Sequence, residues 1–238
     1  MGFMAKARRY DHGNRMLHVI SRSVHEDELF PTDRFAGLFW NEVGQRSLEF
    51  GVRILAMCLL GNHSHLILKG EPEAVANTMH RGNSKLANVR NLEDEKRRGA
   101  LVGRRYNVVP VRDELHARRV IRYVPMNPVL HKLAVDPAKW RWSTHAILIG
   151  KSEAPEWFDR HVAIREFGFP DAASYERFVL QDSPLEPPPM SKAEAKQHEV
   201  LVLAQYGLTI DRISDVSGYT PRHVRRIIAQ SSLGKPSS

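Results

Sequence analysis

A chain of 238 residues can bury a full core, and its length suits one domain of ordinary size plus a small extra module. Its single cysteine, Cys58, lies in the apolar run 54–60; it excludes an intramolecular disulfide framework, suits a reducing compartment and reads as core. The formal net charge of +8 favours a polyanionic partner, while the longest apolar run is too short to span a bilayer and no apolar block follows the basic residues Lys6, Arg8 and Arg9. The expectation is a cytoplasmic protein, monomer or homodimer, with no membrane partner.

In chain order, residues 16–23 read as a strand carrying Leu17, Val19 and Ile20. A helix follows over 33–50, with Phe35, Leu38, Phe39, Val43 and Leu48 as its apolar stripe and Gly51 closing it. Segments 52–60 and 64–68 read as two buried strands joined by a tight turn at Gly61-Asn62. Residues 71–88 form a weaker helix that Gly82-Asn83 should interrupt, and 105–111 a short fourth strand. Asp113 is an N-cap for a helix over 114–126. The order β-α-β-β-α-β-α predicts an α+β fold, a ferredoxin-like antiparallel sheet with helices on one face and one added helix.

Beyond Pro128, the aromatic residues Trp140, Trp142, Trp157, Phe158, Phe167 and Phe169 are expected to pack an extension against the sheet, with a short helix over 171–180. The run Ser183-Pro184-Leu185-Glu186-Pro187-Pro188-Pro189 reads as a stiff spacer and domain boundary. After it, Ser191 and Glu194 form a capping box opening a helix to Gly207, Thr209 caps a second helix over 210–216, and Gly218 makes a turn. Thr220-Pro221 starts a third helix with Val224, Ile227 and Ile228 inward and Arg222, Arg225 and Arg226 outward. This pattern suits an all-α helix-turn-helix module whose last helix contacts duplex DNA; a packing or dimerisation bundle is the alternative. The predicted organisation is therefore 1–182 as the main domain, 183–190 as linker, 191–231 as the helical module and 232–238 as a disordered tail.

Two motifs carry chemistry. In Gly61-Asn62-His63-Ser64-His65, strand alternation puts His63 and His65 on one face and Ser64 on the other, a two-nitrogen grip for a divalent metal. In Tyr123-Val124-Pro125-Met126-Asn127-Pro128, a phenol and an amide stand one helical turn apart and share a side. Leading into Tyr123, the stretch 96–122 holds nine basic residues (Lys96, Arg97, Arg98, Arg104, Arg105, Arg112, Arg118, Arg119 and Arg122) against Asp113 and Glu114. Arg104, Arg105, Arg118, Arg119 and Arg122 are accordingly read as phosphate contacts.

These motifs, with Leu17-His18-Val19-Ile20-Ser21-Arg22, Cys58-Leu59-Leu60 and Trp140-Arg141-Trp142-Ser143, resemble the single-tyrosine HUH transposases, in particular the REP-associated tyrosine transposases. The resemblance covers roughly 7–144. It implies an HUH nuclease domain on the ferredoxin-like sheet, with Tyr123 on the last helix attacking a scissile phosphate to form a 5′-phosphotyrosine link and release a 3′-hydroxyl. It also implies a DNA transposase-like enzyme that cleaves and rejoins structured single-stranded DNA such as a hairpin, within the nucleoid. Tyrosine, with a pKa of about 10, needs help as a nucleophile. His63, His65 and the Asn127 amide would make a mixed nitrogen and oxygen site with open positions, suited to Mg or Mn.

Three positions depart from the family pattern. Ser64 is small and polar where a bulky apolar residue is usual, and Pro125 removes a helical hydrogen bond between phenol and amide. Around Gly99 to Tyr106, Arg104-Arg105-Tyr106 only partly replaces a Phe-Gln-Gly-Arg-Phe type segment. The alternative functions are a catalytically degenerate DNA-binding regulator on the same fold and an unrelated metal hydrolase using His63 and His65.

Overall fold

A computed structural model describes residues 16–23, 28–94, 99, 101–102, 106–205 and 208–230. Strand β1 (Met16–Arg22) is followed by α1 (Asp33–Glu49), the hairpin β2 (Arg53–Leu60) and β3 (His63–Lys69), α2 (Pro72–Glu93), β4 (Asn107–Pro110) and α3 (Glu114–Leu130). The sheet order is β2-β3-β1-β4, antiparallel at each pairing. The two-residue turn at Gly61-Asn62 forces β2 and β3 together, and β1 then pairs with the other edge of β3. The result is a mixed α+β architecture around one four-stranded antiparallel sheet.

Both faces of that sheet are covered, which corrects the expectation of helices on one face. Ser21 and Ser64 are cross-strand partners, and Asn83 of α2 reaches the Ser21 hydroxyl at 3.5 Å, so α1 and α2 occupy that side. His65, one residue on, points the other way and meets Tyr123 of α3. The apolar residues of β2 and β3, including Leu55, Met57, Leu66, Ile67 and Leu68, are buried between the layers.

Three local expectations fail for identifiable reasons. Gly82 does not interrupt α2; a Cβ there would collide with Val43, so the missing side chain lets α2 close onto α1. Leu48, expected in the α1 stripe, is 50% exposed, because Ser47, one turn after Val43, takes the inward position in the last turn and Leu48 falls outside that arc. Helix α3 continues through Pro125 and Pro128 to Leu130. Each proline removes an N–H, leaving the Ile121 and Val124 carbonyls without their i+4 donors, and burial of the Val120, Ile121 and Val124 side chains offsets that loss.

The extension after α3 seals the outer edge of β2. Leu59 donates to the Trp142 carbonyl at 2.8 Å and Thr144 donates to the Met57 carbonyl at 2.9 Å, so the segment bridges an edge that would otherwise stay open. Trp140 donates its indole N–H to the Leu59 carbonyl at 2.8 Å, and Trp142 to Asp33 at 2.6 Å. Trp40 meets both Trp142 and Trp157 edge-on, in a notch that Gly44 leaves open for the Trp157 ring. The short helices α4 (His145–Leu148), α5 (Arg160–Glu166) and α6 (Ala172–Val179) complete this layer.

The proline-rich segment is extended but is not a free spacer. Arg122, on α3, is buried and donates to the carbonyls of Val179 (3.1 Å), Gln181 (2.5 Å), Ser183 (2.9 Å) and Pro184 (3.2 Å), and to the Ser183 hydroxyl (3.0 Å). Arg119 adds an ion pair with Glu186, and Met190 packs on Ile20 and Val109. Helices α7 (Lys192–Gln205), α8 (Ile210–Ser217) and α9 (Pro221–Gln230) then gather round their own core of Val200, Ile213, Val224 and Ile227, with α7 against β4. The capping box is offset by one residue: Ser191 accepts from the Glu194 N–H at 3.1 Å, while Glu194 accepts from the Met190 N–H at 2.7 Å. Thr209 caps α8, and Gly218 takes the left-handed φ of 66° that ends it. The predicted helix end at Gly207 and the predicted tail over 232–238 lie outside the described residues. Among the described residues no helix is long and apolar enough to cross a membrane.

Burial writes a pH dependence into this fold. His145 is buried beside the Tyr175 hydroxyl at 3.2 Å; desolvation lowers its pKa to about 4, against a partial pull upward from Glu176 and Asp136. Between about pH 6.5 and 4 the unfolded chain therefore binds a proton there that the folded chain does not. Its contribution is complete above pH 6.5 and is lost as pH falls, by about 1.4 kcal/mol per unit. Urea titrations across this range should show His145→Gln with a shallower acid slope than the parent, by about one proton; equal slopes would remove His145 from the linkage.

Candidate functional site

The site is built on the α3 face of the sheet. Cross-strand pairing sets Arg22 of β1 opposite His63 and Ile20 opposite His65, while β2 sets Leu60 and Cys58 opposite the same two histidines. With partners on both sides, β3 holds His63 and His65 rigidly on one face, their rings 5.0 Å apart and perpendicular. Tyr123 stands edge-on to His65 at 5.5 Å. One turn further along α3, Asn127 is fully buried. The four residues singled out by the two motifs thus come together, and Pro125 between phenol and amide does not separate them.

The amide orientation is informative. Asn127 donates its side-chain NH₂ to the Tyr123 carbonyl at 2.8 Å, so that group must be the nitrogen and Oδ1 points away from its own helix. That oxygen is buried with no hydrogen-bond partner of normal geometry, yet lies close enough to His63 to favour the ring's charged form. An orphaned buried carbonyl oxygen is costly, on the order of 1–3 kcal/mol, unless a donor or cation completes it.

The imidazoles are held neutral. Burial lowers the His63 pKa to about 4, helped by the charges of Arg22 and His131 and opposed by Asn127. Burial also puts His65 well below the ordinary value, with His18, His63, Arg22 and His131 adding to the shift. His63 Nδ1 donates to Asn62 Oδ1 at 2.6 Å, which leaves its Nε2 lone pair available. The free Nε2 of His63, the neighbouring His65 ring and the orphaned amide oxygen form a donor set that a divalent ion with further water or phosphate ligands could take. Among the described residues no three His, Cys, Asp or Glu side chains converge as a metal cluster, so Asn127 is the residue that makes the set fit. Tyr123 is half-buried; desolvation raises its pKa and the Arg22 charge opposes that rise.

The sequence assigns no role to three contributors, although His18 and Arg22 lie in the stretch 17–22 that carries the resemblance. Arg22 is exposed at the end of β1, and its charge acts on His63, His65 and Tyr123 together. His131 extends the stripe Tyr123, Asn127 by another four residues and stands edge-on to His63 at 5.2 Å. Its position depends on the C-terminal turn of α3, which closes through Lys132 at a left-handed φ of 57°. His18 lies beneath His65 and shares a hydrogen bond with it. Helical spacing was the available signal for His131, and strand alternation with Ile20 and Arg22 for His18.

The basic residues divide. Arg104 and Arg105 lie outside the described residues, as do Lys96, Arg97 and Arg98. Arg122 is not a surface phosphate contact: it is buried, with its donors given to residues 179–184. Arg118 lies over the Phe178 ring at 4.8 Å and within 3.9 Å of Glu114, while Arg119 pairs with Glu186. Arg222, Arg225 and Arg226 are exposed on α9. Of the other tyrosines, Tyr175 is fully buried, Tyr106 packs on the core, Tyr219 stacks on His223, and Tyr10 and Tyr206 lie outside the described residues.

Arg122 therefore has a structural signature that can be measured. Arg122→Met should cost about 2 kcal/mol or more in urea unfolding, since it strips a charged donor from several carbonyls. It should also expose 179–186 to proteolysis. Arg118→Gln should leave stability within about 0.5 kcal/mol. A fully stable Arg122→Met would mean that the strap holds without this residue.

No protein-family model and no curated protein sequence matches the chain. A solved structure of a REP-associated tyrosine transposase bound to a REP hairpin is similar at 16% identity, covering 66% of this chain and 94% of that chain, with a TM-score of 0.49.

Proposed function

We propose that this protein is a metal-dependent, single-stranded DNA nuclease and strand-transferase in which Tyr123 is the nucleophile. The observation that carries the reading is the meeting of an orphaned Asn127 oxygen, two neutral histidines and a tyrosine on one face of a rigid sheet. His63, His65 and Asn127 would hold Mg or Mn. When bound, that ion would supply a Lewis acid to a non-bridging phosphate oxygen and offset developing charge.

The chain's own residues do the rest. Arg22, at the open end of β1, is the positive side chain best placed to meet the phosphate and to favour the phenolate of Tyr123. The Tyr123 oxygen bonds to phosphorus as the bond from phosphorus to the 3′-oxygen breaks, leaving a 5′-phosphotyrosine and a 3′-hydroxyl. Attack on phosphorus by a 3′-hydroxyl returns the tyrosine and reseals a strand, so the link stores the bond energy and no nucleotide cofactor is consumed. The substrate is structured single-stranded DNA such as a hairpin. Duplex flanks would be met by Arg222, Arg225 and Arg226, exposed on α9, with 191–231 serving as a helix-turn-helix module. The setting that fits is the nucleoid of the cytoplasm.

Incubation with labelled hairpin DNA and Mn should yield a covalent adduct, and mass spectrometry should place the nucleotide on the peptide containing Tyr123. Tyr123→Phe keeps the ring, so it should fold, bind Mn and bind hairpin, yet form no adduct. His63→Ala should lower cleavage more than about 100-fold with hairpin binding largely retained. A nucleotide on Tyr106 or full activity in Tyr123→Phe would overturn the assignment. A parent protein that binds hairpins but forms no adduct with Mg or Mn would instead favour a DNA-binding regulator on the same fold.

A further inference from the structure

We propose that His18 is a positioning residue for His65, fixing through one buried imidazole–imidazole hydrogen bond which nitrogen of His65 faces the metal position. The inference rests on the metal reading above and concerns a residue outside that ligand set.

His18 is fully buried in β1, and its Nε2 lies 2.9 Å from His65 Nδ1. The two rings are stacked, with centroids 5.1 Å apart and planes inclined by 23°. Strand pairing produces this contact: His18 faces Ile67 across β1 and β3, so His65 is its diagonal neighbour on the same face. On the other side His18 faces Val109 of β4, which with Ile20 is covered by Met190. His18 is thus walled in by β4 and the segment before α7, without a path to act on a substrate directly.

A hydrogen bond between two neutral imidazoles has a direction, and the direction decides what His65 can do. If His18 Nε2 donates, the proton of His65 sits on Nε2 and blocks that nitrogen as a ligand. If His65 Nδ1 donates, His65 Nε2 keeps its lone pair and the proton of His18 resides on Nδ1, a buried nitrogen with no hydrogen-bond partner among the described residues, so metal binding at His65 must offset the cost of that unpaired donor. Only the second arrangement leaves His63 and His65 presenting the same nitrogen, since His63 already gives its Nδ1–H to Asn62. The contact also prevents the His65 ring from rotating about χ2. An acceptor behind a ligating histidine is the usual means of fixing tautomer and aim, and its loss typically weakens metal binding about 10–100-fold.

The full-length protein and two variants separate this role from packing. His18→Phe keeps a flat ring and removes the acceptor; His18→Gln places an amide oxygen near the former Nε2. Mn affinity, read by electron paramagnetic resonance at constant pH, should fall about 10–100-fold in His18→Phe and return to within about threefold of the parent in His18→Gln. Unfolding temperatures in chelator give the packing cost of each variant independently. Unchanged affinity in His18→Phe, or equal losses in both variants, would overturn the proposal. Should His18→Phe fail to fold, ¹⁵N spectra of the Mg-saturated parent decide it: the proton of His65 is expected on Nδ1, and a proton on Nε2 would overturn the proposal. A parent that binds no Mn at all refutes the metal reading itself, an outcome distinct from loss in one variant.

Discussion

The pairing of β3 on both edges is the constraint on which the rest depends. Because β3 is hydrogen-bonded to β1 and to β2, neither His63 nor His65 can slide, and each has a fixed neighbour on either side. A slip of one residue would send both imidazoles to the α1 and α2 side and bring Ser64 to the α3 side. The tight turn at Gly61-Asn62 sets that register over the shortest possible connection, and Asn62 also accepts from His63. One turn thus specifies both the pairing of the strands and the tautomer of the first histidine.

Helix α3 completes the site because it is held from two directions. Tyr123 and Asn127 face the sheet, while the neighbouring Arg122 ties the helix to residues 179–184. Two prolines inside the helix remove two of its backbone donors, which would weaken an isolated helix of that sequence. Here the flanking Val120, Ile121 and Val124 are buried, and their apolar contact with the sheet offsets the lost hydrogen bonds. The strap has a further consequence. Residues 183–190 join the extension to the terminal helices, and Met190 at their end covers the sheet at Ile20 and Val109, so the segment leading into the terminal helices packs on the main sheet.

Much of this was legible in the sequence because periodicity reports burial. The strands at 16–23, 52–60 and 64–68 and the order of elements follow from apolar runs of strand length and from the turn between them. The pairing of His63 with His65 and of Tyr123 with Asn127 follows from strand and helix geometry alone. What could not be read depends on neighbours distant in sequence. Gly82 looks like a helix breaker until Val43 is known to lie against it. Arg122 belongs to a basic run, and nothing local distinguishes an arginine that binds phosphate from one that binds backbone carbonyls 57–62 residues away. His18 looks like any polar residue in a strand, since its partner His65 is 47 residues further on.

The electrostatics of the site are dominated by burial. His63 and His65 are kept neutral by burial, Asn127 is neutral, and Tyr123 is made harder to ionise by its own desolvation. Arg22 is then the formal charge within reach of all three titrating side chains, and it is exposed, where solvent screens it. Under the proposed reading, a phosphodiester at this site would add a negative charge that one screened guanidinium offsets only in part. Burial that suppresses protonation of the imidazoles preserves their lone pairs, and burial that orphans the Asn127 oxygen preserves its acceptor capacity. Desolvation penalises charge of either sign here, so what this face offers a cation is directional: the imidazole lone pairs and the orphaned Asn127 oxygen, which under the proposed reading must offset that penalty.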